Sequence, residues 1–525
     1  MMCQWNFKKF QGMALVSIFV LVFLFAGVLL ATAQQEESEG PIVIGMTEEP
    51  KDLNPISYPD VYSDFVLTQL YDPLLRNNPG GEINTGGRAV AKDFSVSEDG
   101  LTYVFELQKG IQFHHGEEMD AEDVAYTINT LRNDEAPVSP RKQDYEAIES
   151  VEVTGEYEVT VKLDEAFTPF LADAMTAVYP VPKDYIEEHG WEEYDKEHFG
   201  TGPYEFEEYK SGSHILVKRN ESYWGDHSAN TEKLKFAFYG ESSTAVMALR
   251  RGEIHFLERM DINQWFDLKD AEEVVPQSYP KLAFIEIGFN QKEPPFDDPR
   301  VRKAFAYAID SKEVIAAERT EELADDTRSP LTPSMPAHAA VNQYEQDIEK
   351  ARELLQEAGH DEINTKLYTT EGKALEEQVV QQQVKAAGFN VELEKLEWGS
   401  FLDAVEGGEA PLWTSGWTTG SGTPYALLEL FHSESNWNYY VGWYENEEFD
   451  KALDEAIKTT DADERTELYK KCQRILVDED MGAFIQYTRH AFPAYHESLN
   501  VPDDAWNPYM GMGPIKRAYE WSLEN

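Results

Sequence analysis

Apolar residues along this chain repeat with two different periods, and the change between them divides it. After a turn at Asp99-Gly100, Tyr103, Phe105 and Leu107 alternate with polar neighbours, the period-two pattern of a strand with one buried face. Val151 to Leu163 alternates around Gly155 and predicts a hairpin. Tyr204 to Tyr209 and Ile215 to Arg219 flank Ser211-Gly212-Ser213 and predict another. Ile42 to Gly45 predicts a short opening strand, and Ala121 to Leu131 and Ser243 to Arg251 predict helices between the strands.

Beyond residue 280 the pattern alternates strand with helix. Lys281 to Asn290 predicts a strand, and Asp297 is placed to cap a helix running to Ile309. A helix from Glu349 to Ala358 stops at Gly359, and a strand spans Leu367 to Thr370. A second helix from Lys373 to Ala387 stops at Gly388, and strands follow over Phe389 to Leu396 and Trp413 to Trp417. This βαβ order predicts a parallel sheet covered by helices, with ligands near the C-terminal ends of its strands. Helices are predicted from Glu447 to Lys458 and from Asp463 to Val477, and the segment Phe484 to Asn525 returns to short strands and turns.

At the N-terminus Lys8 and Lys9 precede an apolar stretch from Met13 to Leu30, followed by Ala31-Thr32-Ala33. That order is a secretory signal cut after Ala33, with an uncleaved anchor as the alternative. Gln34 follows the cut where a lipid-anchored protein would carry cysteine. The expected product is exported, periplasmic or otherwise extracytoplasmic. The remaining length, about 490 residues, exceeds one core and implies two or more lobes. A charge of −53, from 98 acidic against 45 basic residues, repels nucleic acid and anionic lipid. Cys472 has no intrachain partner once Cys3 leaves, and with Leu468, Ile475 and Leu476 it follows the spacing of a core helix face.

Against this acidity, Ala410 to Leu428 carries no charged side chain. Its centre, Gly416 to Pro424, reads Gly-Trp-Thr-Thr-Gly-Ser-Gly-Thr-Pro and suits an uncharged, backbone-rich or hydroxylated ligand. No H-E-x-x-H, G-x-S-x-G or C-x-x-C occurs, and Gly87 replaces the lysine that a phosphate loop over Gly81 to Arg88 needs. The adjacent His114-His115 reads as structure, not as a metal site, and Asp297-Asp298-Pro299 as a helix start. No catalytic set, metal site or cofactor is expected.

Five blocks resemble the bacterial extracellular solute-binding proteins of the peptide and nickel type, family 5, receptors of ABC importers. They are Leu70 to Leu74; Ser97 to Tyr103 with Phe113 to Gly116 and Asp123 to Tyr126; Gly200 to Tyr204 with Asn220 to Gly225; Pro295 to Arg302 with Ala306 to Asp310; and Gly416-Trp417 with Pro424. The resemblance implies an α/β, two-lobed periplasmic-binding-protein type II-like clamp with an extra β-rich subdomain in the first lobe. It implies lobes over 34–285 and 286–488, with 489–525 returning to the first. It further implies a monomer that captures a peptide, closes on a hinge and delivers it to permease subunits with their ATPase, with no chemistry on the ligand. In amine-binding relatives an Asp three residues after the tryptophan of the fifth block pairs with the peptide ammonium. Here that position is Gly420, and the acidic position before proline is Thr423. Glu371 is a possible substitute.

The expected ligand residues are Trp417, Thr418, Thr419, Gly420 and Ser421 on the loop, Tyr58 and Tyr62 facing them, and Trp398 and Thr370 beside them. Stacking on Trp413, Trp417, Trp398 or Trp437 would equally suit an oligosaccharide, and a nickel chelate is a further possibility. A secreted glycoside or peptide hydrolase using dispersed carboxylates, and a surface scaffold that does not close, are the readings from other classes.

Overall fold

The computed structural model describes residues 40–77, 83–225, 228–317, 324–370, 374–396, 398–482, 484–506 and 513–524. The predicted signal, its cut after Ala33, Gly81 of the glycine-rich segment, and Glu371 lie outside the described residues.

Three sheets carry the fold. The opening strand Ile42–Met46 is the centre of a seven-stranded sheet, with parallel neighbours Lys233–Phe238 and Phe256–Leu257. The hairpin Tyr204–Lys210/His214–Arg219 extends one side, and Ala494–His496 followed by Val274–Pro276 extends the other. Its core takes Ile42, Ile44, Phe236 and Phe256 from the strands, Leu67 and Leu70 from helix Val61–Leu70, and Ile515 and Trp521 from the C-terminal segment. A four-stranded antiparallel sheet, in the order Ala91–Val96, Thr102–Leu107, Glu158–Leu163, Ile148–Gly155, packs beside it. Tyr103, Phe105 and Leu107 face inward with Val159 and Val161, under Val124 and Ile128 of helix Ala121–Leu131. The alternation along Thr102–Leu107 is thus the pleat of a sheet with one covered face.

The third sheet has six strands in the order Ala324–Asp325, Phe484–Ala491, Tyr279–Phe289, Leu412–Thr418, Ile363–Thr370, Phe389–Leu396. The βαβ pattern implied a parallel sheet, and only part of it is. Ile363–Thr370 runs parallel to both Phe389–Leu396 and Leu412–Thr418, but Tyr279–Phe289 is antiparallel to both of its neighbours. Local periodicity reports the helical crossovers, whereas Tyr279–Phe289 enters from the seven-stranded sheet and inserts between strands far away in sequence. The next helix also differs from expectation. It spans Pro299–Tyr307, and Asp298, not Asp297, is its cap, accepting from Arg300 N at 2.8 Å. Proline has no N–H and a helical φ, so it occupies the first helical position and leaves the preceding residue as cap.

The chain crosses between the seven- and six-stranded sheets twice, at adjacent places. Val275 pairs with Tyr495 in one sheet, Tyr279 pairs with Ala491 in the other, and Gln277 N donates to the Pro493 carbonyl between them at 2.8 Å.

The sequence blocks mostly build this scaffold. Asp72 is fully buried, and Arg88 Nε donates to it at 2.6 Å, Trp224 Nε1 at 2.8 Å and Tyr223 Oη at 3.2 Å. A Cβ on Gly200 would lie 2.0 Å from the Leu70 carbonyl oxygen, and one on Gly202 2.5 Å from the Leu70 carbonyl carbon, so only glycine fits at either place. His114 ties the same segment down. Gly200 N donates to its Nδ1 at 3.2 Å, which puts the proton on Nε2, and Nε2 donates to the Gly202 carbonyl at 3.1 Å. Burial pushes the His114 pKa down to about 4, so the ring stays neutral. In the fourth block Arg302 is buried and donates to the carbonyls of Phe296, Asp297, Asp480 and Met481.

Removing the Asp72 carboxylate would strand the Arg88 guanidinium in the core. Asp72→Ala is therefore expected to cost about 3–5 kcal/mol, read as a lower urea midpoint. An unchanged midpoint would show that the node is not structural.

Candidate functional site

The segment singled out by its lack of charge lies where the six-stranded sheet faces the four-stranded one. Strand Leu412–Thr418 ends there, and Pro424 starts the short helix Tyr425–Leu428. Between them the loop is shaped by its own hydroxyls: Ser421 N donates to Thr419 Oγ1 at 3.0 Å and Thr423 N to Ser421 Oγ at 3.1 Å. Thr419 N donates to the Leu282 carbonyl at 2.9 Å, fixing the loop to the neighbouring strand. Thr418 and Gly420 are exposed. A Cβ on Gly420 would meet nothing within 4 Å, so packing does not exclude an aspartate there.

Trp417 is half-buried and begins an aromatic wall, with Trp437 at 5.1 Å and Tyr440 at 5.9 Å between ring centroids. Trp437 remains 38% exposed, so part of the wall faces solvent. Trp413 does not belong to this wall. It is fully buried, its Nε1 donates to the Tyr440 carbonyl at 2.9 Å, and its indole packs on Gly288. Stacking on Trp413 is therefore ruled out: both tryptophans share one face of the strand, but Tyr440 and Trp443 cover the inner one.

Across the interface the first contact is Asp173, at the end of the short helix Phe170–Asp173. Ser421 Oγ donates to Asp173 Oδ1, and Thr423 Oγ1 donates to Oδ2 at 2.9 Å. Nearby, Phe167 meets Tyr425 edge-on at 5.3 Å, Thr168 N donates to the Ile457 carbonyl at 2.7 Å, and Lys458 pairs with Glu165 at 2.8 Å. These contacts hold the two halves together on the side of the loop.

Carboxylates gather at this contact. Burial raises the Asp173 pKa to about 7 against the pull of the Ser421 and Thr423 hydroxyls, and Asp144 adds to the rise. Glu429 is also pushed up to about 7, by burial and then by the charge of Asp144, with Asp173 adding a smaller share. Arg141 is the cation among them. Its Nε donates to Asp144 at 3.2 Å, while its Nη2 binds the Asp173 carbonyl at 3.0 Å, leaving the Asp173 carboxylate for the opposite hydroxyls. Tyr58 lies beside Arg141 and Asp64, and burial pushes its phenol up. Tyr62 sits in a different cluster: Arg259 Nη2 donates to its hydroxyl at 2.6 Å, and Thr47 Oγ1 lies 3.2 Å away. Thr370 closes the strand Ile363–Thr370, two places from the main loop strand's nearest pairing, Tyr368 with Trp413. Trp398 starts the helix Trp398–Glu406, and its side chain lies outside the described residues.

Sequence reasoning missed Asp173, Arg141, Glu429 and Glu286. Two of these had a legible signal. Asp173 is the one charged residue between Glu165 and Lys183, and Glu286 the one between Lys281 and Lys292. A lone acid in an apolar run is buried, and buried acids need a reason. Glu286 lies on strand Tyr279–Phe289 under the aromatic wall, fully buried. The Ser415 hydroxyl donates to its Oε1 at 3.3 Å, and Oε2 has no partner among the described residues. No group of three or more potential metal ligands occurs among the described residues. Cys472 is buried, with its thiol pushed up to about 12 by burial, as a core residue would be.

The family profile described as bacterial extracellular solute-binding proteins, family 5 middle, matches residues 87–439. The chain belongs to this family. Among relatives, the oligopeptide-binding protein AppA of Bacillus subtilis is 26% identical over 495 residues, spanning 87% of this chain and 88% of that protein. The glutathione-binding protein GsiB of Salmonella paratyphi A is 26% identical over 454 residues, spanning 83% and 87%. Of solved structures, the periplasmic binding protein DppA of Helicobacter pylori in complex with peptide STSA superposes with a TM-score of 0.77, at 24% identity, covering 93% of this chain and 98% of that one. The fold is accordingly that of a two-lobed periplasmic binding protein.

Glu286 makes stability depend on pH. Burial raises its folded pKa to about 8, above the ordinary carboxylate value of about 4.3. The folded state thus holds the proton longer, so stability is lost as pH rises between those values and is level beyond them. Glu286→Gln keeps the shape without the titration. Its thermal midpoint should gain on the wild type as pH rises through that window, and equal slopes for the two proteins would refute the assignment.

Proposed function

We propose that this chain is the extracytoplasmic receptor of an ABC importer, which captures a peptide between its lobes and delivers it, chemically unchanged, to a membrane permease driven by an ATPase. The observation that carries this reading is the interlobe contact itself: a loop of backbone and hydroxyls, walled by Trp417 and Trp437, meets the opposite lobe through Asp173. Two crossovers set side by side leave the lobes free to hinge about them. Membership of the family supports the receptor role, and relatives named for oligopeptide and glutathione binding support a peptide as cargo.

In this reading a signal cut after Ala33 releases a monomer. The lobe boundaries are better drawn at Gln277–Ser278 and Phe492–Pro493 than at 285/286 and 488/489, because the strands Tyr279–Phe289 and Phe484–Ala491 both lie in the six-stranded sheet. Trp417 and Trp437 stack on the ligand, while Thr418, Thr419 and Gly420 offer backbone and hydroxyl partners, and Ser421, whose hydroxyl Asp173 and Thr423 already engage, holds the loop. Tyr58 borders the site from the first lobe through Arg141, and Thr370 and Trp398 flank the strand ends. Tyr62 is assigned a lesser part, because Arg259 and Thr47 already occupy its hydroxyl. An oligosaccharide is the second reading, favoured by the same aromatic wall and by the open space where Gly420 lacks an acid.

Native mass spectrometry of the protein purified from its host separates them. A retained mass that fragments as a peptide is the expected result; a hexose ladder would establish the sugar reading instead, and turnover of either would make the chain a hydrolase. Trp417→Ala should weaken binding of the retained ligand by about tenfold or more, as loss of an aromatic stacking contact of roughly 1.5 kcal/mol implies, measured by titration calorimetry.

A further inference from the structure

Asp173 combines three features that the binding of a solute does not by itself require. It is 9% exposed, yet among the described residues no cation is bonded to its carboxylate, because Arg141 spends its guanidinium on Asp144 and on the Asp173 carbonyl. Its acceptors point out of its own lobe. The donors that satisfy them, Ser421 and Thr423, belong to the loop of the other lobe, and the same two hydroxyls shape that loop: Ser421 Oγ accepts from Thr423 N, and Thr423 Oγ1 lies 3.1 Å from Ser421 Oγ. When the lobes part, Asp173 loses both partners and meets water, and the loop loses the anchor that orients its hydroxyls.

We infer that Asp173 is a closure latch: a first-lobe carboxyl that captures the Ser421 and Thr423 hydroxyls when the lobes meet, positions the loop, and ties closure to the uptake of a proton. The inference rests on the reading of the chain as a receptor that closes, and it adds the means by which closure is regulated.

The surroundings set the sign. Arg141 and Asp144 face Asp173 from its own lobe, and Tyr425, Glu429 and Tyr469 from the other. Burial makes an ionised Asp173 costly in the closed state and raises its pKa there to about 7, with Asp144 adding to the rise and Arg141 offsetting part of it. In the open state it has water around it and titrates in the ordinary range near 3.9, about three units lower. The closed form therefore binds the extra proton between those limits, so closure weakens as pH rises through that window and levels off above about 7. At the steepest the closed-to-open ratio falls about tenfold per pH unit. A protonated Asp173 also suits the geometry, since its hydroxyl can donate while the remaining oxygen accepts.

The test is small-angle X-ray scattering on the full mature chain without added peptide, titrated from about pH 4 to about pH 8, for wild type, Asp173→Asn, Asp173→Ala and the double variant Ser421→Ala/Thr423→Ala. The wild type should open as pH rises. Asp173→Asn cannot ionise but still accepts and donates hydrogen bonds, so it should stay closed over the upper half of the range, its remaining pH dependence being that of Glu429. Asp173→Ala and the double variant should both shift toward the open form, by about tenfold at acid pH. The double variant carries the test if the Asp173 substitutions fail to fold. A wild-type closed fraction that does not change with pH, or an Asp173→Asn profile that superimposes on the wild type, overturns the latch. A chain that shows the pH-dependent closure and retains no peptide would instead overturn the cargo assignment and leave the latch standing.

Discussion

The molecule depends on two strand connections that lie against each other. Because Val275–Pro276 and Ala494–Tyr495 pair in one sheet, and Tyr279 and Ala491 pair in the next, the chain enters and leaves the six-stranded sheet through a single hydrogen-bonded ribbon. Two such connections set side by side suit a hinge, in which a few element-terminal residues take up the change in backbone angles while each sheet keeps its own pairing. Everything else must be compatible with that one soft coordinate. Each lobe needs its own finished core, and the surfaces on the opening side must tolerate both contact and water.

That requirement explains the chemistry at the interface. An apolar seam would hold the lobes shut, and a fixed ion pair would do nearly the same. The seam instead uses hydroxyls, one edge-on aromatic contact, a backbone hydrogen bond, one exposed and therefore weak ion pair between Lys458 and Glu165, and buried acids. Hydroxyls exchange protein partners for water at small net cost. The acids sharpen this balance, because desolvating Asp173 and Glu429 near Asp144 works against closure until a proton or another compensating group arrives.

Much of the fold was legible because its signals are local. Tyr103, Phe105 and Leu107 announce a strand, and helix Ala121–Leu131 has the bounds its periodicity indicates. What was not legible depends on what arrives from elsewhere. No pattern within Tyr279–Phe289 says that it inserts antiparallel between Leu412–Thr418 and Phe484–Ala491. Trp413 and Trp417 are equivalent in alternation and differ because Trp443, Gly288 and the Tyr440 carbonyl close over the first. At the site, the loop could be found from its composition, since a charge-free window is conspicuous in so acidic a chain. Its partner could not, because nothing near Asp173 in sequence shows which surface it meets, although its isolation among apolar residues marked it as buried.

The family blocks and the cargo question therefore separate physically. Asp72, Gly200, Gly202, His114 and Arg302 satisfy buried backbone and buried charge, a duty to the scaffold that is independent of the ligand. Gly420 faces open space and carries no such duty. A position without packing constraint is free to gain or lose a charge as the ligand changes. The acid near this loop comes instead from across the interface, where Asp173 meets the Ser421 and Thr423 hydroxyls.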